Sequence, residues 1–189
     1  MTFFKSIPAD GPMVGAMGMN PSAGSILVQY HTVVMRGPSP LTEGERELIA
    51  AFVSGLNACR YCYGMHSATA KAFGVAEGLL ESLVSDPDVS SAPEKLRPIL
   101  KYARKLTLDQ ARITQSDAQA VFDAGWDERA MHDAICVVAL FNFMNRFVHG
   151  HGMALADGVL SERGVSLMGS GYDPLLEGIR KGAEAHGRS

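Results

Sequence analysis

Almost every periodic stretch between Ser22 and His149 repeats at helical spacing, and no stretch sustains the two-residue alternation of a half-buried strand. This pattern predicts an all-α fold of helices joined by short connections. A first helix is expected from about Ser22 to Met35, ending before Gly37-Pro38. Thr42 reads as the N-cap of a second, with Glu45 at the capping-box position and Leu48, Ile49, Phe52, Val53 and Leu56 recurring inside it. Asn57 is expected to cap a third helix running to Gly74. Others are predicted from Leu79 to Val84, from Ser91-Ala92-Pro93-Glu94 to about Leu106, from Thr114 to Gly125, and from Trp126-Asp127 to about His149. The whole chain, 1–189, reads as one all-helical domain. Residues 1–21, rich in Gly, Pro and Met, form an expected arm, and residues 152–189 a looser extension in which Ser166 to Pro174 reads as loop.

Hydrophobic residues make up 47% of the chain, enough for a real core and against global disorder. A formal net charge of −3 with scattered basic residues leaves no electrostatic footprint for nucleic acid. The most apolar stretch, Ile135 to Val148, is too short to span a bilayer and contains Asn142, Asn145 and Arg146, so it reads as a buried helix and no membrane partner is expected. Met1 to Lys5 lack the pattern of a signal peptide, and three cysteines are no secreted disulfide scaffold. The expected compartment is the cytoplasm.

Two of those cysteines stand in Cys59-Arg60-Tyr61-Cys62, with His66 four residues after the second. If Asn57 is the N-cap, Cys59 falls at the second helical position, and Cys59, Cys62 and His66 share one face. A helix N-terminus favours a thiolate, and an imidazole four residues on can accept a thiol proton or stabilise the anion. Redox chemistry is therefore the leading reading. A zinc site completed by a distant His149 or His151, and plain structural cysteines, are the alternatives. Periodicity alone makes Glu47 a solvated first-turn glutamate. Were its helix to fold back on the next, its carboxylate would meet His66 or Cys62.

Asn142, Asn145, Arg146 and His149 lie on one stripe of the last long helix, as helix surface, subunit contact or lining of the dithiol cavity. Cys136 reads as a buried inert thiol, His132 as surface, and Met13, Met17 and Met19 as an adaptable intersubunit contact. With no Gly-x-Gly-x-x-Gly and no phosphate loop, neither nicotinamide nor flavin is expected by those routes, and no cofactor or metal is assigned.

The stretch from Glu47 to His66 resembles the core of the alkylhydroperoxidase-D-like (AhpD-like) proteins of the carboxymuconolactone decarboxylase superfamily. Their pattern is a glutamate twelve residues before a Cys-x-x-Cys and a histidine four residues after it, which Glu47, Cys59, Cys62 and His66 match. Thr114 to Gly150, with Ala124-Gly125-Trp126 and Val138 to Arg146, is similar to the second half of the subfamily called peroxidase-related enzymes. The resemblance implies a helical fold assembling into homotrimers or homohexamers. Cys62 would meet the peroxide and become a sulfenic acid, Cys59 would close the disulfide, and Glu47 with His66 would relay protons. Tyr61, Asn142, Asn145 and Arg146 would support them. One position departs from the family: members that reduce peroxides carry a histidine beside the second cysteine, where this chain has Tyr61.

The expected function is a thiol-dependent peroxidase that reduces hydrogen peroxide or organic hydroperoxides and takes electrons from an external dithiol, protein or small molecule. The alternatives are an oligomeric redox sensor or disulfide reductase partner without turnover, and a carboxymuconolactone-decarboxylase-like enzyme drawing a small carboxylate to Arg146. The paired cysteines argue against the last.

Overall fold

The computed structural model describes residues 2–8, 11–86, 88–89, 91–154 and 160–185. These form α1 (Pro12–Met17), α2 (Pro21–Arg36), α3 (Glu43–Leu56), α4 (Arg60–Ala72), α5 (Leu79–Ser85), α6 (Arg97–Leu108), α7 (Gln115–Asp123), α8 (Glu128–Gly150), α9 (Leu160–Ser170) and α10 (Asp173–Ala185), with a 3₁₀ turn at Gln110–Arg112. The all-α expectation holds. Among the described residues no helix is long and apolar enough to cross a membrane.

The architecture is organised around α3. Every residue from Arg46 to Ser54 is buried, because α3 is enclosed by α2, α4, α5, α6 and α8. Ile49, Ala50, Ala51, Phe52 and Val53 make it apolar all round, the composition of an interior helix. It starts where expected: the Thr42 hydroxyl accepts from Glu45 N at 3.2 Å, and the Glu45 carboxylate accepts from Thr42 N at 2.8 Å. Thr114 and Asp117 build the corresponding box at the head of α7. In α8 the Asp127 side chain caps by accepting from Ala130 N at 2.7 Å.

Three expectations are corrected. Asn57 does not cap α4; it ends α3, and Cys59 is the N-cap of α4. The reason is a Schellman turn: Cys59 N donates to Ser54 O at 2.9 Å and Ala58 N to Gly55 O at 3.0 Å. Ala58 takes the left-handed position of that turn, with φ +53°. The segment Ser91 to Glu94 does not open a helix; Pro93 begins a turn that leads into α6 only at Arg97.

The third correction concerns the C-terminal residues. Ser166 to Ser170 belong to α9, and α10 starts at Asp173, so the expected loop shrinks to a tight link. Gly169, Gly171 and Pro174, which suggest a loop, lie in or between the two helices instead. Gly171 turns the chain at φ +57°, and Pro174 lies in the first turn of α10. Gly164 lets α9 press on α4: a Cβ there would lie 2.7 Å from the Ala68 carbonyl carbon. The hairpin and the N-terminal arm meet, since α10 packs on both α1 and α2.

Candidate functional site

The Schellman turn determines where the sulfurs sit. Because Cys59 is at once the end of the α3 turn and the N-cap of α4, Cys62 occupies the third helical position and His66 follows one turn later. All three are buried: Cys59 is 0% exposed, Cys62 3% and His66 7%. Ile7, Ala16, Val148 and Met153 pack around the cysteine pair. The two sulfurs are unbridged.

α3 runs back along α4 and brings Glu47 against the imidazole. His66 Nδ1 donates to Glu47 Oε2 at 2.6 Å, and Arg36 Nη2 lies 2.6 Å from Oε1. Glu47 is thus an interior carboxylate, 0% exposed, and not the solvated group that periodicity alone suggests. Burial works to raise its pKa, but the charges and hydrogen bonds of His66 and Arg36 outweigh it, and the carboxyl is held below its ordinary range. The bond to Nδ1 fixes the imidazole and leaves Nε2 for exchange.

The dithiol divides its acidity unevenly. Cys59 is lowered to about 6, first by the hydrogen bond from the Cys62 thiol, against the cost of burial. The backbone N–H groups of Cys62 and Tyr61 and the charge of His149 add to the lowering. Cys62 is pushed well above its ordinary value, chiefly because it donates to Cys59 and then because it is buried. A hydrogen bond with the Asn145 side chain works the other way on Cys62. These opposite shifts favour a Cys59 thiolate that accepts from a Cys62 thiol.

Access runs the other way. A cavity of about 320 Å³ is lined by Cys62 and His66, whereas Cys59 is not on its wall. The rest of the wall is mostly apolar, with Met13, Met17, Phe141, Met144 and Leu175 prominent. Met13 and Met17 line this cavity, while Met19 is 45% exposed. On the other side of Tyr61 lies a wider groove of about 830 Å³, shared with Arg60, Lys71, Glu77 and His149.

The polar stripe of α8 is split. Asn57 Nδ2 donates to Asn142 Oδ1 at 3.1 Å and to Asn145 Oδ1 at 2.9 Å, and Asn145 Nδ2 donates to Ser54 Oγ at 3.0 Å. These bonds fasten the dithiol turn to α8, which explains why Asn57 is unavailable as a cap. Arg146 is exposed and donates to Asn142 O at 2.6 Å; it does not line the cavity of Cys62. Tyr61 is half-buried and packs on the cysteine cluster. Cys136 is half-buried, not interior as expected, with Sγ 3.5 Å from His132 Nε2. Among the described residues no group of three or more His, Cys, Asp or Glu is placed to hold a metal ion.

Three side chains near the site escape sequence reasoning. Arg36 ends α2, reaches Glu47, and has its guanidinium 5.3 Å from the Phe73 ring centre and 5.6 Å from that of Tyr172. His31 and Tyr172 line the cavity with Cys62. The one available signal is that His31 shares the helical stripe of Val28 and Met35, the buried face of α2.

Known proteins share this fold. The model of the carboxymuconolactone decarboxylase family matches residues 21–105, which include Glu47 and the dithiol turn. The chain is similar to the crystal structure of an uncharacterized peroxidase-related protein from Silicibacter sp. TM1040, with TM-score 0.72, 27% identity, and 79% of this chain and 78% of that one covered. It also shares the fold of an AhpD-core, uncharacterized peroxidase-related protein from Ralstonia eutropha JMP134, with TM-score 0.72, 23% identity, and coverage of 80% and 79%. No functionally curated protein matched the sequence.

Proposed function

Because this chain belongs to the carboxymuconolactone decarboxylase superfamily, in its AhpD-like, peroxidase-related branch, we propose that it is a thiol-dependent peroxidase working through Cys59 and Cys62. The observation that carries this reading is an unbridged dithiol whose second sulfur shares a cavity wall with an imidazole, itself anchored 2.6 Å from a buried carboxylate.

In the proposed cycle the proton of the Cys62 thiol crosses its hydrogen bond to Cys59, which frees a thiolate at the cavity. That sulfur attacks the terminal oxygen of the hydroperoxide and the O–O bond breaks. Cys62 becomes a sulfenic acid, and the alkoxide or hydroxide takes a proton held by the Glu47–His66 pair. The Cys59 thiol condenses with the sulfenic acid, forming the disulfide and releasing water. An external dithiol then exchanges with the disulfide, restores both cysteines and returns the proton. Arg36 stabilises Glu47 as a carboxylate throughout, and Asn145 steadies Cys62. Tyr61 stands in place of the histidine and supplies packing and a hydroxyl; a phenol, with a reference pKa near 10, is no neutral-pH proton shuttle. Exposed Ile26, Val33 and Phe143, at 69%, 68% and 51%, support self-association, for which we propose a homotrimer or homohexamer.

The test is peroxide consumption by the purified protein with cumene hydroperoxide and excess dithiothreitol. Sustained turnover, lost in both Cys62→Ser and Cys59→Ser, is expected. A C59S variant that retains full turnover would remove the intramolecular cycle. A single stoichiometric oxidation without turnover would leave an oxidant-responsive protein instead.

A further inference from the structure

We propose that His31 and Tyr172 form an acceptor–donor pair that binds the O–O–H group of the substrate beside Cys62. The inference rests on the peroxidase reading and adds two residues that contact the substrate.

The cavity at Cys62 is mostly apolar, and His31 and Tyr172 are among the few polar side chains on its wall, with Tyr61, His66, Ser166 and Ser170. His31 Nδ1 donates to Leu27 O at 2.8 Å, so its Nε2 carries no proton and can only accept. Burial holds this imidazole neutral, lowering its pKa to about 4. The ring of Tyr172 lies 5.3 Å from that of His31, and Phe141 contacts both His31 and His66, at 6.3 and 4.4 Å. Tyr172 is 6% exposed, and its hydroxyl is fully buried with no hydrogen-bond partner among the described residues. It lines the same cavity as Cys62 and His66, and the Arg36 guanidinium that pairs with Glu47 lies 5.6 Å from its ring centre. An interior hydroxyl without a partner costs free energy, and a ligand that supplies an acceptor recovers that cost.

The pair matches a hydroperoxide in kind. The terminal O–H of R–O–O–H donates to His31 Nε2, while the proximal oxygen accepts from the Tyr172 hydroxyl. When Cys62 transfers an electron pair to the terminal oxygen, the O–O bond breaks and the negative charge gathers on the proximal oxygen. That is where the Tyr172 bond strengthens. The proton that neutralises the alkoxide comes from the Glu47–His66 pair, so Tyr172 keeps its own. Tyr172 lies in the link between α9 and α10, outside residues 21–105 matched by the family model. The C-terminal hairpin thereby contributes directly to the site.

The experiment compares two reactions of the reduced full-length protein under single-turnover conditions: disulfide formation by cumene hydroperoxide, and thiol alkylation by iodoacetamide, which has no O–O–H group. In Tyr172→Phe, peroxide oxidation is expected to slow by about 10- to 100-fold with alkylation changed less than about twofold. His31→Leu is expected to show the same selective loss, and His31→Gln, which keeps an acceptor, to recover part of it. Peroxide oxidation within about twofold of wild type in Y172F and H31L, or equal losses in both reactions, would overturn the inference while leaving the peroxidase reading intact. Were Y172F to unfold, the H31L and H31Q pair would decide by the same criterion. A wild-type protein that forms no disulfide with any hydroperoxide would sink the peroxidase reading and this inference together.

Discussion

Glu47→Gln removes one negative charge from the interior and keeps the shape of the side chain. In wild type that charge is shared by Arg36 Nη2 and His66 Nδ1, each 2.6 Å away, and the three side chains are 11% (Arg36), 9% (His66) and 0% (Glu47) exposed. With the carboxylate gone, the Arg36 guanidinium is a buried cation facing an amide. Breaking a buried pair by removing one partner costs roughly 3–5 kcal/mol, because the other charge stays desolvated. For a chain of this size that corresponds to a fall in Tm of roughly 6–20 °C. The double variant Arg36→Met with Glu47→Gln removes the stranded cation as well and should recover most of the loss. Urea and thermal unfolding of the reduced protein, followed by circular dichroism, measures all four corners of the cycle. Acidification supplies a second check. The folded pKa of Glu47 is depressed, so its contribution is complete above the ordinary carboxylate pKa and disappears as pH falls below that value through the folded one. The gap between wild type and E47Q should close over that acidic range. An E47Q protein within about 1 kcal/mol of wild type, or a double variant no more stable than the single one, would refute the buried-triad reasoning.

The remaining predictions concern the same neighbourhood. His31, lowered to about 4 from 6.5, stays neutral in the folded protein while the unfolded chain takes up a proton. Stability is therefore full above pH 6.5 and falls as pH drops toward about 4, by a total of about 3 kcal/mol. Urea titrations of wild type and His31→Gln across that range should diverge by this amount, and parallel curves would contradict it. Thiolate absorbance should show the dithiol losing its first proton near pH 6. In Cys62→Ala the Cys59 titration should move back toward its ordinary value, since the Cys62 hydrogen bond is the largest cause of the lowering. An unmoved titration would show that the helix terminus alone suffices. Ala58→Gly should stabilise the protein by about 0.5–1 kcal/mol in urea unfolding, since φ +53° strains any residue with a Cβ. A loss of stability would mean that the turn is not strained.

What the sequence discloses and what it withholds follow from the range of the forces. Caps are local, so Thr42 with Glu45 and Thr114 with Asp117 are legible from spacing alone and form as expected. The boundary at Asn57 misleads because its side chain is taken by Asn142 and Asn145, 85 and 88 residues away. The burial of Glu47 is likewise a tertiary fact. Its neighbours in sequence, Glu45 and Gly44, resemble any solvated first turn, and only the packing of α4 and α2 on α3 makes the carboxylate internal. Gly169, Gly171 and Pro174 read as loop because sequence cannot tell a glycine that breaks a helix from one that lies inside it, as Gly169 lies inside α9. For that reason Tyr172 is invisible until the hairpin is folded against the cavity. The dithiol turn is the opposite case: the spacing of Glu47, Cys59, Cys62 and His66 is legible as a family pattern, and the folding of α4 back on α3 then brings Glu47 to His66.

The most direct measurement is to locate the first oxidised sulfur. The Cys59→Ser variant, treated with one equivalent of cumene hydroperoxide in the presence of dimedone and digested for mass spectrometry, should carry the sulfenic-acid adduct on Cys62. The matching Cys62→Ser variant should carry little on Cys59, whose sulfur is 0% exposed and off the cavity wall. An adduct on Cys59 at the faster rate, with Cys62 unlabelled, would contradict the account: the more acidic thiol would then be the nucleophile, and the cavity beside Cys62 would not be where the peroxide reacts.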